Sequence, residues 1–212
     1  MNAIEGTPGT VAGLVLAGGR GARMQAAVPK PLLRLGDRTL LEHVLTRLPP
    51  APAPVILSAN DADAFAGFGL PVIPDRLASF AGPLAGLEAA AAHLARHHPG
   101  ISHLLMLPGD TPFLPSDLLP RLWSAPGTGG ARVAAHGGAL QPTVSLWPMT
   151  ALAALPGFLA RSRHHAIRAF LDEIGFQAVE FPPSAEAPGG DPFFNVNTPA
   201  DLDLARAADA RR

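Results

Sequence analysis

Gly18 and Gly19 close an apolar run, Val11–Leu16, and Arg20, Arg23 and Lys30 come after them within a short stretch. Glycines without side chains let main-chain N–H groups come close to an anion, and the three cations can neutralise a triphosphate. The loop is not a Walker A loop, because no Gly-Lys-Ser/Thr closes it, and Met24 stands where a dinucleotide fingerprint needs its third glycine. A tight strand-to-loop turn with solvated basic side chains accounts for the glycine pair equally well. Lys30 tilts the balance: it is bracketed by Pro29 and Pro31 and followed by Leu32-Leu33, which implies a placed cation.

A second candidate, Asp110, lies in LLMLPGDTPFLP at the end of another apolar run, with Pro112 and Pro115 stiffening the segment after it. A carboxylate so delivered suits a hard cation such as Mg²⁺, which keeps several waters and bridges phosphate oxygens. The competing role is an Asp that caps the turn leading into Pro115–Leu122. Asp75 closes the run VIPD and serves either a ligand or a turn. Asn60 reads a base or ribose edge, or makes an Asx turn. His93 and His97 are spaced for one helix face but lack the glutamate of a zincin and a third ligand, so they read as surface residues. The basic segment Arg161-Ser-Arg-His-His165, with His164 and His165, is either a solvated face or an attractor for a second, phosphate-bearing substrate. Trp123 and Trp147 read as packing residues.

The elements that must position these groups alternate. Val11–Leu16, Pro54–Ser58, Leu70–Pro74 and His103–Leu107 read as strands; Thr39–Leu48, a brief helix around Asp61–Gly67, and the Ala-rich Pro83–His97 read as helices. Alternation of this kind predicts a parallel sheet with helical crossovers, and ligands in such sheets lie beyond the carboxyl ends of the strands. Gly18-Gly19, Asn60-Asp61, Asp75 and Asp110 all stand at such ends. The second half predicts a hairpin of Ala131–His136 and Ala139–Trp147 across Gly137-Gly138, a helix at Ile167–Ile174, an extended Gln177–Phe181, and a mobile loop at Pro182–Pro192. Thr198 should cap the last helix, with Pro199 in its first position and Asp201 near its positive end. One domain over 1–212 is expected, its front (about 11–125) binding nucleotide and its back (about 126–205) binding an acceptor.

Composition narrows the classes. With 48% hydrophobic and 16% charged residues in 212, the chain has the makings of a compact body with a substantial core. A formal net charge of -1 gives no reason to expect nucleic acid, so attraction for anions must be local. The absence of cysteine excludes disulfides and thiolate metal sites. The N-terminal residues lack the pattern of a signal peptide and no apolar segment is long enough to span a bilayer, so a cytoplasmic protein without membrane contact is expected.

The ordered set LAGG-x-x-x-R-M, Lys30 before Leu32-Leu33, Ser58-Ala-Asn60, Pro74-Asp75, Gly82-Pro-Leu-Ala-Gly86, Gly109-Asp-Thr-Pro-Phe-Leu-Pro115, Gln141-Pro-Thr143 and Phe193-Phe-Asn-Val-Asn-Thr-Pro-Ala-Asp-Leu202 resembles the molybdenum cofactor guanylyltransferases. It runs from Leu14 to Leu202, nearly the whole chain. The resemblance implies a doubly wound, mostly parallel Rossmann-like α/β fold with helices on both faces. It also implies transfer of GMP from GTP to the phosphate of molybdopterin, with release of pyrophosphate and a molybdoenzyme or chaperone as recipient of the product. Carried over by position, Leu16, Ala17, Gly18, Gly19 and Gly86 would hold the nucleotide, Lys30 its phosphates, and Asn60 and Asp75 its guanosine. Asp110 would bind Mg²⁺, Arg23 would steady the triphosphate, and Asn195 and Asn197 would lie near the metal or the pterin. The PKPLL run is shared with sugar-phosphate nucleotidyltransferases, which leaves a sugar-phosphate acceptor, or cytosine as the base, as alternatives. A nucleotide-binding module without turnover is the non-enzyme alternative.

Overall fold

The computed structural model describes residues 11–18, 24, 28–48, 53–75, 82–126, 129–162 and 165–211. In chain order its strands are β1 (Val11–Leu16), β2 (Arg34–Leu35), β3 (Arg38–Thr39), β4 (Val55–Ser58), β5 (Val72–Ile73), β6 (His103–Pro108), β7 (Ala131–His136), β8 (Ala139–Pro148) and β9 (Phe176–Glu180). The helices are α1 (Leu40–Arg47), α2 (Pro83–His97), α3 (Leu118–Ser124), α4 (Met149–Leu152), α5 (Leu155–Arg161), α6 (Ile167–Ile174) and α7 (Pro199–Asp209).

One seven-stranded sheet has the order β5-β4-β1-β6-β8-β7-β9. Only β8 runs against the rest: it is antiparallel to both β6 and β7, whereas β1 pairs in parallel with β4 and β6, and β7 with β9. The doubly wound, mostly parallel α/β expectation is met. Leu16 is level with both Ser58 and Pro108, so β1, β4 and β6 end together and their trailing loops share one edge.

Both faces of the sheet are covered, which explains why its central strands read as continuous apolar runs. Alternate residues point to opposite faces. Val11, Val15, Leu57, Leu105 and Leu107 pack with Leu41 and Val44 of α1 and with Leu118 and Leu122 of α3. Ala12, Leu14, Ile56, Leu104 and Met106 pack with Leu84, Leu87 and Leu94 of α2 and with residues of α4, α5 and α6, including Phe158 and Phe170. Trp147 is fully buried and stacks on Phe170, as a packing residue should.

A third cluster decides where the site forms. Met24, Leu35, Leu40 and Phe113 close on Val196, Leu202, Ala205 and Ala208, which fastens the C-terminal segment over the loops that come after β1 and β6. The predicted mobile loop at Pro182–Pro192 is instead tied down. Ala187 belongs to this cluster, the Ser184 N–H donates to the Gly190 carbonyl at 2.8 Å, and Glu186 pairs with Arg47 at 2.9 Å. Its apolar Ala187-Pro188 step supplies the anchor. Among the described residues no helix is long and apolar enough to cross a membrane.

Candidate active site

Lys30 heads a single 3-10 turn, Lys30–Leu32. Pro29 precedes the turn in an extended conformation and its carbonyl receives the Leu32 N–H at 2.9 Å, while the Lys30 carbonyl receives the Leu33 N–H at 3.1 Å. Pro31 is buried against the loop after β6: a Cβ on Gly109 would lie 3.3 Å from the Pro31 Cβ and 3.0 Å from the Leu16 carbonyl oxygen. Gly109 is therefore required by close approach, and its N–H donates to that same Leu16 oxygen at 2.9 Å. The proline bracket thus places the cation against the Asp110 loop.

Asp110 meets it there. The Lys30 ammonium forms an ion pair with Asp110 Oδ2, the two side chains being 15% and 14% exposed, and donates to Asn197 Oδ1 at 2.8 Å. Three chain segments, separated by as many as 167 residues, converge on one nitrogen. The Asp110 carbonyl accepts the Val196 N–H at 3.0 Å, which locks the Asn195-Val-Asn197 segment against the carboxylate loop. Lys30, Asp110 and Asn197 are thereby brought together, and Asn195 stands one residue before the Val196 amide that is tied to Asp110.

Several oxygens of this cluster are left without partners. Asp110 Oδ1, Asn195 Oδ1 and Thr111 Oγ1 are buried and accept or donate no hydrogen bond among the described residues. Orphaned buried polar atoms are costly, and these three lie on the Asp110-Thr111 step and on the residue before the Val196 amide bound to it, where a ligand would complete them. Among the described residues no group of three His, Cys, Asp or Glu side chains gathers, so no all-protein cage is built from them. One carboxylate beside neutral oxygens is the donor set of a hard cation completed by water and substrate phosphates, and Asp110 with Asn195 fits it.

Asn60 and Asp75 also meet, at the ends of β4 and β5. The Asp75 N–H donates to Asn60 Oδ1 at 3.1 Å, and Asn60 Nδ2 reaches Asp75 Oδ2 at 3.5 Å. The local Asx role falls to Asp61, whose Oδ1 receives the Ala64 N–H at 3.1 Å. Because β4 and β6 flank β1, Asn60 and Asp110 come after strands whose axes are about 10 Å apart, at the same edge of the sheet.

The glycine turn differs from expectation. The N–H groups of Ala17 and Gly18 both donate to the Ser58 carbonyl, at 2.9 and 2.7 Å, so they tie β1 to β4 and do not face an anion. Parallel pairing carried one residue beyond the strand uses them up. Leu16 is likewise committed through its carbonyl to Gly109. Gly19, Arg20 and Arg23 lie outside the described residues. Gly86, in the first turn of α2, is a packing position: a Cβ there would collide with Ser58 Oγ. In the basic segment, Arg161 is paired with Glu173 and His165 Nε2 lies 3.2 Å from the Leu159 carbonyl, while His164 is outside the described residues. His93 and His97 are ring neighbours at 4.6 Å on α2.

Two residues carry more of the site than their sequence setting suggested. Thr111 is 1% exposed beside Asp110. Asp201 closes a capping box with Thr198, accepting the Thr198 N–H at 2.8 Å, and also accepts the N–H of Asn197 at 2.9 Å. Burial opposes its charge, but hydrogen bonds from the Thr198 side chain and from the Asn197 and Thr198 amides, with Lys30 nearby, hold its carboxyl below the ordinary aspartate value. The Thr-x-x-Asp spacing was the available signal.

A lysine-carboxylate pair with unfilled oxygen donors lies at the carboxyl edge of a doubly wound sheet, the place where ligands of such sheets bind. Residues 13–178 match the model of the MobA-like NTP transferase domain. A molybdenum cofactor guanylyltransferase of Rhizobium meliloti (strain 1021) is 41% identical over 198 residues, covering 92% of this chain and 89% of the relative. One from Acidiphilium cryptum (strain JF-5) is 43% identical over 195 residues, covering 92% and 93%. Among solved structures, molybdopterin-guanine dinucleotide biosynthesis protein A from Archaeoglobus fulgidus superposes with a TM-score of 0.70 at 22% identity, over 95% of this chain and 100% of that one, a likeness of fold. The chain belongs to the MobA-like NTP transferase family.

Proposed function

We propose that this protein transfers GMP from GTP to the phosphate of molybdopterin, forming the guanine dinucleotide cofactor and releasing pyrophosphate. The observation that carries the reading is the Lys30–Asp110–Asn197 cluster, with its orphaned oxygens, in a chain 41% identical to a molybdenum cofactor guanylyltransferase.

A phosphate oxygen of molybdopterin attacks the α-phosphorus of GTP; the bond from that phosphorus to the β-bridging oxygen breaks, and its electron pair leaves on pyrophosphate. The attacking phosphate is already ionised at neutral pH, so no base must remove a proton. The chain must supply position and positive charge. Lys30 supplies the charge from a fixed turn and would neutralise the triphosphate, aided by Arg23. Asp110 and Asn195 would hold the divalent cation, expected to be Mg²⁺, which when bound draws off phosphate charge as a Lewis acid. Asn60 and Asp75, spaced along the same edge, would take the guanosine end. A cytoplasmic setting and delivery of product to a molybdoenzyme or its chaperone belong to the same reading.

The test is pyrophosphate release from purified protein with each of the four common nucleoside triphosphates, Mg²⁺, and either molybdopterin or a panel of sugar phosphates. GTP with molybdopterin should be the productive pair. Turnover of another pair, with that one inert, would overturn the assignment.

A further inference from the structure

We infer that Asp201 is a positioning residue for Lys30, keeping the ammonium on the phosphate side of the site when Asp110 commits its charge to a divalent cation. The inference rests on the nucleotide-site reading above and adds to it a residue that makes no contact with the reacting groups.

Lys30 is a point charge on a flexible stem, and such a charge goes where its partners are. Its partners are Asp110 Oδ2 and Asn197 Oδ1. The first is the carboxylate with an orphaned second oxygen, the one fitted to a cation. Once that charge is shared, the remaining hold on Lys30 among the described residues is a neutral carboxamide oxygen, and a neutral acceptor holds an ammonium less strongly than a carboxylate does. Asp201 makes up the difference in two ways. Its Oδ2 fixes the backbone on which Asn197 is carried, through the N–H groups of Asn197 and Thr198. Its negative charge also lies near enough for Lys30 to favour its ionised form.

The bland account is that Asp201 only caps α7, and the capping box provides its own control. Thr198 is the other half of the box: its hydroxyl accepts the Asp201 N–H at 3.2 Å. Loss of either side chain weakens the same helix end. Only loss of Asp201 releases the Asn197 amide.

The experiment compares Asp201→Ala, Asp201→Asn and Thr198→Ala with wild type for melting temperature, for calorimetric binding of Mg²⁺-pyrophosphate, and for kcat and KM with GTP. Both Asp201→Ala and Thr198→Ala should lower the melting temperature through the helix end, Asp201→Ala slightly more because it also gives up the Asn197 amide bond. Asp201→Ala should weaken pyrophosphate binding by roughly fivefold and lower kcat by about tenfold, whereas Thr198→Ala stays within about twofold on both. Asp201→Asn, which keeps an acceptor without the charge, should fall between them, and it carries the comparison if Asp201→Ala does not fold. In a Lys30→Met background the Asp201 substitution should have no further effect on binding, because the residue through which it acts is gone. Equal losses in the Asp201 and Thr198 variants, or an Asp201 effect that persists without Lys30, overturns the inference. Wild-type protein that binds neither pyrophosphate nor GTP would instead sink the nucleotide-site reading, and this inference with it.

Discussion

Replacing Lys30 with Met removes the ammonium and keeps an unbranched apolar stem. The paired side chains of Lys30 and Asp110 are only 15% and 14% exposed, so water screens this charge poorly. At an effective dielectric of about 20, a unit charge about 4 Å from a phosphate oxygen contributes about 4 kcal/mol. Desolvating the phosphate and loosening the Asp110 pair offset part of this. The loss should match removal of an oxyanion donor, about 2.7–4 kcal/mol, or about 10²–10³-fold in kcat. Stability should suffer less. Asp110 retains some access to water, so the unpaired carboxylate costs about 2 kcal/mol, a fall in Tm of about 4–8 °C for a chain of this size. Pyrophosphate release at saturating GTP, Mg²⁺ and molybdopterin, with a thermal melt of the same sample, measures both. Turnover within about threefold of wild type in a normally melting protein would refute the role given to Lys30.

Asp110→Ala should abolish measurable turnover and weaken GTP binding only where Mg²⁺ is present; calorimetry with and without the metal that shows an unchanged Mg²⁺ dependence would move the cation elsewhere. Gly86→Ala drives a Cβ into Ser58 Oγ and sets it 3.2 Å from Leu16 Cδ2, and should destabilise by about 1–3 kcal/mol, part of it recovered in the Ser58→Ala double variant. An unshifted denaturant midpoint for the single variant would contradict that packing argument. His103, beside Ser102 and Trp123, is held below its ordinary value of 6.5 by burial and then by the charge of Arg132. The folded state keeps it neutral where the unfolded chain takes up a proton, so its contribution is complete above that value and declines as pH falls from there toward the folded-state value. His103→Gln should flatten the loss of stability as pH falls below 6.5; denaturant titrations giving equal slopes for variant and wild type would exclude this.

The elements legible in the sequence were those with a period or a cap. Val11–Leu16, Pro83–His97, Ala131–His136 and Ile167–Ile174 fall where their apolar spacing put them, and Thr39 and Thr198 each complete a capping box. The β2–β3 hairpin was not legible, because two-residue strands have no period to read. Nor was α5, where Pro156 and Gly157 resemble a break although Pro is tolerated in a first turn. The chemical types of the site were visible too: a lysine between prolines and an aspartate after a buried strand.

Side-chain chemistry and short-range geometry are written locally, so the sequence by itself determined the donor types, the strands that deliver them and the caps that end the helices. Tertiary structure alone decided that Asn197 reaches Lys30 across 167 residues, that β8 inserts reversed between β6 and β7, and that the amides of Ala17 and Gly18 are spent on Ser58. The first of these depends on how Met24, Leu35 and Leu40 pack against Val196 and Leu202, and the other two on the clusters that cover the faces of the sheet. Apolar attraction is non-directional, and which distant surfaces meet is fixed only when the whole core closes.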